Sequence, residues 1–106
     1  SEELGDTLGR AMALYATGLS HVRRHDWDSA VQAAGVAQRL LERAGRPCLE
    51  AGILHTMAIW RLLEGKPKKA VPLAQQALER ARQIDRGRWP EAVVALTLVA
   101  ALAEDA

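Results

Sequence analysis

Chemistry needs titratable or nucleophilic side chains held close together, and this chain offers few sets that could supply it. His21 and His25 stand four residues apart, with Asp26 and Asp28 just behind them. Two histidines at that spacing can share a helix face, and with a carboxylate they form a set of divalent-metal ligands. The set is incomplete, because there is no HExxH pattern, His55 is far off in sequence, and His25-Asp26-Trp27 reads as a turn. Glu2-Glu3 and Glu104-Asp105 lie at the ends of the chain and read as solvated charge. Cys48 is the one cysteine, so it forms no internal disulfide, and no nucleophile signature surrounds it. Gly5, Gly9 and Gly18 fall inside a helical pattern and follow no phosphate-binding fingerprint. The sequence therefore predicts no catalytic residue, no metal and no cofactor.

The elements that carry these residues are better marked than any site. The chain has 106 residues, 49% of them apolar and 25% charged, which suits one soluble domain spanning 1–106. Phe is absent, so the core must come from Ala, Leu and Val, and the first two are strong helix formers. Fourteen basic residues against thirteen acidic leave a net charge of +1, which predicts no general attraction to nucleic acid or to an anionic membrane. The densest basic stretch, Lys66-Pro67-Lys68-Lys69, reads as a solvated helix start. The longest apolar run, Ala92 to Ala103, is broken by Thr97 and falls short of the ~20 residues that cross a bilayer. The polar, acidic start Ser-Glu-Glu-Leu-Gly-Asp is no signal peptide, which points to the cytoplasm. Without an initiating Met, the chain reads as a fragment of something larger.

Breakers at His25-Asp26, Gly45-Arg46-Pro47, Gly65-Lys66-Pro67 and Arg86-Gly87-Arg88 separate five helical segments. Apolar residues three and four apart run through each, as in Leu4, Leu8, Ala11, Met12, Tyr15, Leu19 and Val22 of the first. No stretch alternates as a strand would. Asp26 or Asp28 can cap the second helix, Pro47 and Pro67 suit first-turn positions, and Gly45 and Gly87 suit left-handed stops. Pro72 falls about one turn into the fourth segment, which predicts a bend or a late helix start there.

The segments also repeat. Ala30-Val31, Ala34 and Ala37 recur forty residues on as Ala70-Val71, Ala74 and Ala77. Gly45-Arg46, Glu50-Ala51 and Thr56 recur as Gly87-Arg88, Glu91-Ala92 and Thr97. Self-similarity near forty residues marks stacked helical hairpins, with the alanines at the helix contacts.

These residues resemble the tetratricopeptide repeats. Gly18, a turn at His25-Asp26-Trp27, then Ala30 and Ala37 make one copy of that family's pattern. Ala58, a turn at Gly65-Lys66-Pro67, then Ala70 and Ala77 make a second, with Pro67 in the place of the turn aromatic Trp27. The repeat is longer than the family's usual 34 residues. It is similar to the long repeats of large bacterial regulators, such as the maltose-regulon activator and related ATP-dependent transcription activators, where the array acts as sensor or scaffold. The resemblance implies an all-α, right-handed stack of antiparallel hairpins with five helices: one hairpin over about 3–45, a second over about 47–85, and a lone or capping helix over about 89–105.

The resemblance also places a ligand groove on the first helix of each hairpin. That groove would hold Met12, Tyr15, Leu19, Val22 and Arg23, then Gly52, His55, Ile59, Leu62 and Leu63. Some relatives grip a peptide's C-terminal carboxylate there with a set of Lys, Asn and Arg; that set is missing, so chaperone-tail binding of that kind is not expected. An apolar groove suits an amphipathic helix of another protein, a small apolar ligand or a second copy of itself. In the fifth segment, Val93, Leu96, Val99 and Leu102 share the helix with further apolar residues pointing other ways, which predicts a next helix of a parent chain or a homodimer partner. The expectation is a non-catalytic protein-interaction scaffold; a ligand sensor and a structural dimerisation module are the alternatives.

Overall fold

The computed structural model describes residues 2–83, and these are all helical apart from three short turns. α1 spans Glu2–Arg23, α2 Trp27–Arg43, α3 Pro47–Glu64 and α4 Pro67–Arg82. Among the described residues there is no strand. The fifth helix expected over 89–105, with Val93, Leu96, Val99 and Leu102, lies outside the described residues, as does Gly87.

The three turns are built alike. His25, Gly45 and Gly65 each take a left-handed backbone, with φ of 59°, 68° and 86°. The next residue in each case, Asp26, Arg46 or Lys66, donates its backbone N–H to the carbonyl five residues back, at 2.9 Å in all three. This is the bonding of a Schellman stop, which satisfies carbonyls that a helix end would leave unpaired. The following residue then opens the new helix: Trp27, Pro47 and Pro67. Proline fits there because its missing N–H has no intrahelical partner at a first turn. Of the two aspartates that could cap α2, Asp26 does so, accepting from the Ser29 N–H at 3.3 Å. The forty-residue sequence repeat is thus two twenty-residue units, each a helix and a left-handed stop.

α4 does not start late. It runs from Pro67 with Pro72 inside it, so Pro72 forfeits the bond to the Lys68 carbonyl while α4 continues past it. The ring of Pro72 is exposed, and the helix is held on its other side by Ala70, Ala74, Ala77 and Ala81, all fully buried.

Each helix packs on its neighbour in sequence, α1 on α2, α2 on α3 and α3 on α4. With links this short the neighbours run antiparallel, which leaves α1 and α3 parallel on one side of the layer. Ala11, Ala30, Ala34 and Ala37 are fully buried with Leu41, Leu54, Met57 and Trp60 in one core, while Ala58, Ala70 and Ala74 form a second between α3 and α4. Methyl-only side chains at the crossings let the helices pack closely. Gly18 goes further, because a Cβ there would stand 3.1 Å from Cη2 of Trp60 and 3.2 Å from the carbonyl oxygen of Ala30. The indole of Trp60 therefore packs directly on the backbone of α1.

Candidate functional site

The large apolar side chains left open to water share one placement. Met12, Leu19, Leu49, Ile59 and Leu63 are all exposed, and all belong to α1 or α3. No large apolar side chain of α2 or α4 is exposed. Those helices carry Gln32, Arg39, Gln75, Gln76 and Glu79 on their open sides. Leu63 is 66% exposed and Met12 52%, far more than chance leakage from a packed core would leave.

Between α1 and α3 this face deepens into a cleft of about 210 Å³. Met12 and Tyr15 form one wall, and Cys48, Leu49, Gly52 and Thr56 the other. Leu41 and Ile53 belong to the core and make the floor. Tyr15 is held against Trp60, their rings 6.0 Å apart and 14° from parallel, an arrangement worth about 0.5–1.5 kcal/mol beyond burial. Thr56 donates its hydroxyl to the Gly52 carbonyl at 2.9 Å within α3, so its polar atom is spent locally and the wall stays apolar. Cys48 is exposed at the mouth. The sequence matches no protein-family model and no curated protein.

The structure divides the residues expected in the groove. Met12, Tyr15 and Gly52 line the cleft; Leu19, Ile59 and Leu63 continue the apolar face beyond it. His55 is half-buried on α3, and burial lowers its pKa by disfavouring the imidazolium. Arg23 is exposed, one turn beyond Leu19 on the same side of α1, and its side chain makes no hydrogen bond or ion pair among the described residues. Two residues do not stand on the open face. Val22 packs against the main core, and Leu62 turns toward α4, against the cluster of Ala58, Ala70 and Ala74. Both sit on the side of their helix nearest the second helix of the hairpin. The alanines and glycine expected at the helix contacts, Gly18, Ala30, Ala37, Ala58, Ala70 and Ala77, are all buried.

Two polar clasps hold α3 in place, and sequence reasoning missed both. At its start Glu50, only 2% exposed, accepts from Gln38 Nε2 of α2 at 2.7 Å and from Arg80 Nε of α4 at 2.9 Å. The Glu50 bond raises the pKa of the Arg80 guanidinium. At the other end of α3, Arg61 bonds Asp28 of α2 at 2.9 Å and Glu64 at 2.7 Å. The Arg61 hydrogen bond holds the Asp28 carboxyl below its usual range. For Glu64, burial pushes the pKa up, but bonds from Arg61 and Lys66 outweigh it and the net shift is downward. The signal for the first clasp was present, since Glu50 recurs at Glu91 in the repeat, but a charged residue at a repeated position reads equally well as surface.

His21 and His25 do not form a site. His25 sits in the left-handed turn with its ring 5.7 Å from that of Trp27, and His21 Nδ1 lies 3.7 Å from an Asp26 oxygen, beyond hydrogen-bond range. Among the described residues no three His, Cys, Asp or Glu side chains gather as metal ligands, and no helix is long and apolar enough to cross a membrane.

Proposed function

We propose that this chain is a non-catalytic protein-interaction module of the tetratricopeptide type, a cytoplasmic piece of a larger bacterial regulatory protein. Its α1/α3 face docks an apolar segment of another protein. One observation carries the reading: every exposed large apolar side chain among the described residues stands on α1 or α3. A layer of four antiparallel helices could leave such residues on either side, and here they gather where two parallel helices flank a cleft. A face of this kind suits an amphipathic helix laid along it.

The test is photo-crosslinking in cells. A benzophenone amino acid replaces Leu63 on the face or, as control, Gln32 on the open side of α2. Adducts from position 63 and none from position 32 are expected. Equal yields from both would sink the docking face. An adduct of twice the chain's own mass would assign the face to a homodimer. A second reading rests on the size of the cleft, which exceeds the ~150 Å³ that suffices for benzene in a protein interior. On that reading the cleft holds a small apolar ligand, which native mass spectrometry of the purified chain would show as a retained adduct.

A further inference from the structure

We infer that the partner is an amphipathic helix carrying one leucine- or phenylalanine-sized side chain for the cleft and, eight to eleven positions away, a carboxylate for Arg23. This rests on the docking face proposed above and names the chemistry that face selects.

The cleft supplies the first half. About 210 Å³ with a floor of buried Leu41 and Ile53 admits an isobutyl group or a phenyl ring, and no charged group lines it. Its walls are stiffened by the Tyr15–Trp60 stack, so the pocket stands formed before anything enters. A preformed apolar pocket within a docking face is where one anchoring side chain contributes most of the affinity.

Arg23 supplies the second half. On the α1 line Met12, Ala16, Leu19, Arg23 and on the α3 line Cys48, Gly52, Ile59, Leu63 no carboxylate occurs. Arg23 is free among the described residues, and the other basic group of the face, His55, is held toward its neutral form by burial. Among the described residues the guanidinium is therefore an unmatched charge at the rim of an apolar surface, with donors that fit a carboxylate in two-point contact. A second copy of the same face would bring arginine to a surface without carboxylates, so charge complementarity favours a different, acidic partner. Arg23 lies eight residues beyond Tyr15 and eleven beyond Met12 on α1. At 1.5 Å per residue that is about 12–16 Å, which a helix docked along α1 spans in the same number of positions.

The test is selection from a displayed library of amphipathic helices, randomised at one apolar anchor and at the polar positions on either side of it. The baits are the full chain, its Arg23→Glu variant and its Thr56→Phe variant, which fills the cleft; each is first checked by thermal melting. The wild type is expected to enrich Leu or Phe at the anchor with Asp or Glu eight to eleven positions away, and alanine at the anchor to weaken binding about 30-fold. Arg23→Glu is expected to convert the acidic preference to Lys or Arg while the anchor is kept. Thr56→Phe is expected to erase the anchor preference while the acidic one is kept. Apolar helices enriched without a spaced acid, or a preference unmoved in either variant, would overturn the inference and leave the docking face standing. No enrichment over a bare-surface control would overturn both. A peptide of residues 89–106, given in trans and displacing every selected helix, would assign the face to a segment of this chain's own sequence and overturn the distinct partner.

Discussion

At the scale of single residues, the glycines of α1 do opposite things. A Cβ at Gly18 would stand 3.1 Å from a Trp60 ring atom and 3.2 Å from a backbone oxygen, whereas a Cβ at Gly9 would have nothing within 4 Å. Alanine in place of glycine inside a helix gains about 1 kcal/mol by propensity alone. Gly9→Ala is therefore expected to raise stability by about 0.5–1 kcal/mol. Gly18→Ala is expected to lower it by about 1 kcal/mol, because overpacking against Trp60 and the Ala30 carbonyl exceeds the propensity gain. Urea unfolding of the two variants decides the matter, and a Gly18→Ala protein more stable than wild type would refute the close approach. His55 gives a second residue-scale prediction. Its folded pKa is depressed by burial, so below about pH 6.5 the unfolded chain takes up a proton that the folded chain resists. Stability should then be flat above that pH and fall as the pH drops from there toward the folded value. The wild-type and His55→Gln unfolding free energies, followed from pH 8 to 5, should diverge only in that window; parallel curves would mean that burial leaves His55 unperturbed. Asp28 and Glu64, whose pKa values are lowered, act further down: their stabilisation is present above about pH 4 and lost as the pH falls below it.

At the scale of elements, α3 packs between α2 and α4, and its two clasps differ in what breaking them costs. The Glu50 side chain is 3% exposed and that of Arg80 25%, so this clasp works largely out of water. Arg80→Met would leave the Glu50 carboxylate buried with Gln38 as its one donor among the described residues. Removing one partner of a buried pair costs about 3–5 kcal/mol when the pair is fully enclosed, and the partial exposure of Arg80 brings the expected loss to about 2 kcal/mol. Adding Glu50→Gln to Arg80→Met should recover most of it, since no charge is then stranded. Equilibrium unfolding of the single and double variants closes the cycle, and additive losses would show that the two side chains do not depend on each other. Asp28 is mostly in water at the other clasp, so Asp28→Asn is expected to change unfolding little and to lose even that effect in high salt.

At the scale of the whole molecule, what could be read from the sequence was whatever repeats locally. The alanines seven apart, Ala30 and Ala37, then Ala70 and Ala77, are fully buried, and the breakers at 25–26, 45–47 and 65–67 are the three turns. Which apolar residues face out was not legible from spacing, because Met12, Leu19 and Leu63 follow the same three-four pattern as the core residues beside them; the family resemblance singled them out, together with Val22 and Leu62, which pack inward. The Arg61–Asp28 contact spans 33 positions and leaves no local trace. The same sequential packing has a dynamic consequence. α2 and α3 each have a helix on both sides, while α1 packs chiefly on α2. Within α1 the contacts are uneven: Tyr15 and Gly18 meet Trp60 in its second half, whereas Gly5 and Gly9 in its first half have no neighbour within reach of a Cβ. Local opening should therefore begin at the start of α1. Amide hydrogen exchange under native conditions is expected to run at least about tenfold faster for residues 6–10 than for 15–22, with α2 and α3 slower still. Uniform protection along α1 would show that it opens with the core as one unit. The graded pattern would instead leave the cleft, which begins at Met12, on the boundary between the part of α1 that frays and the part that holds, so that a helix docking there would slow exchange toward the α1 start without touching it.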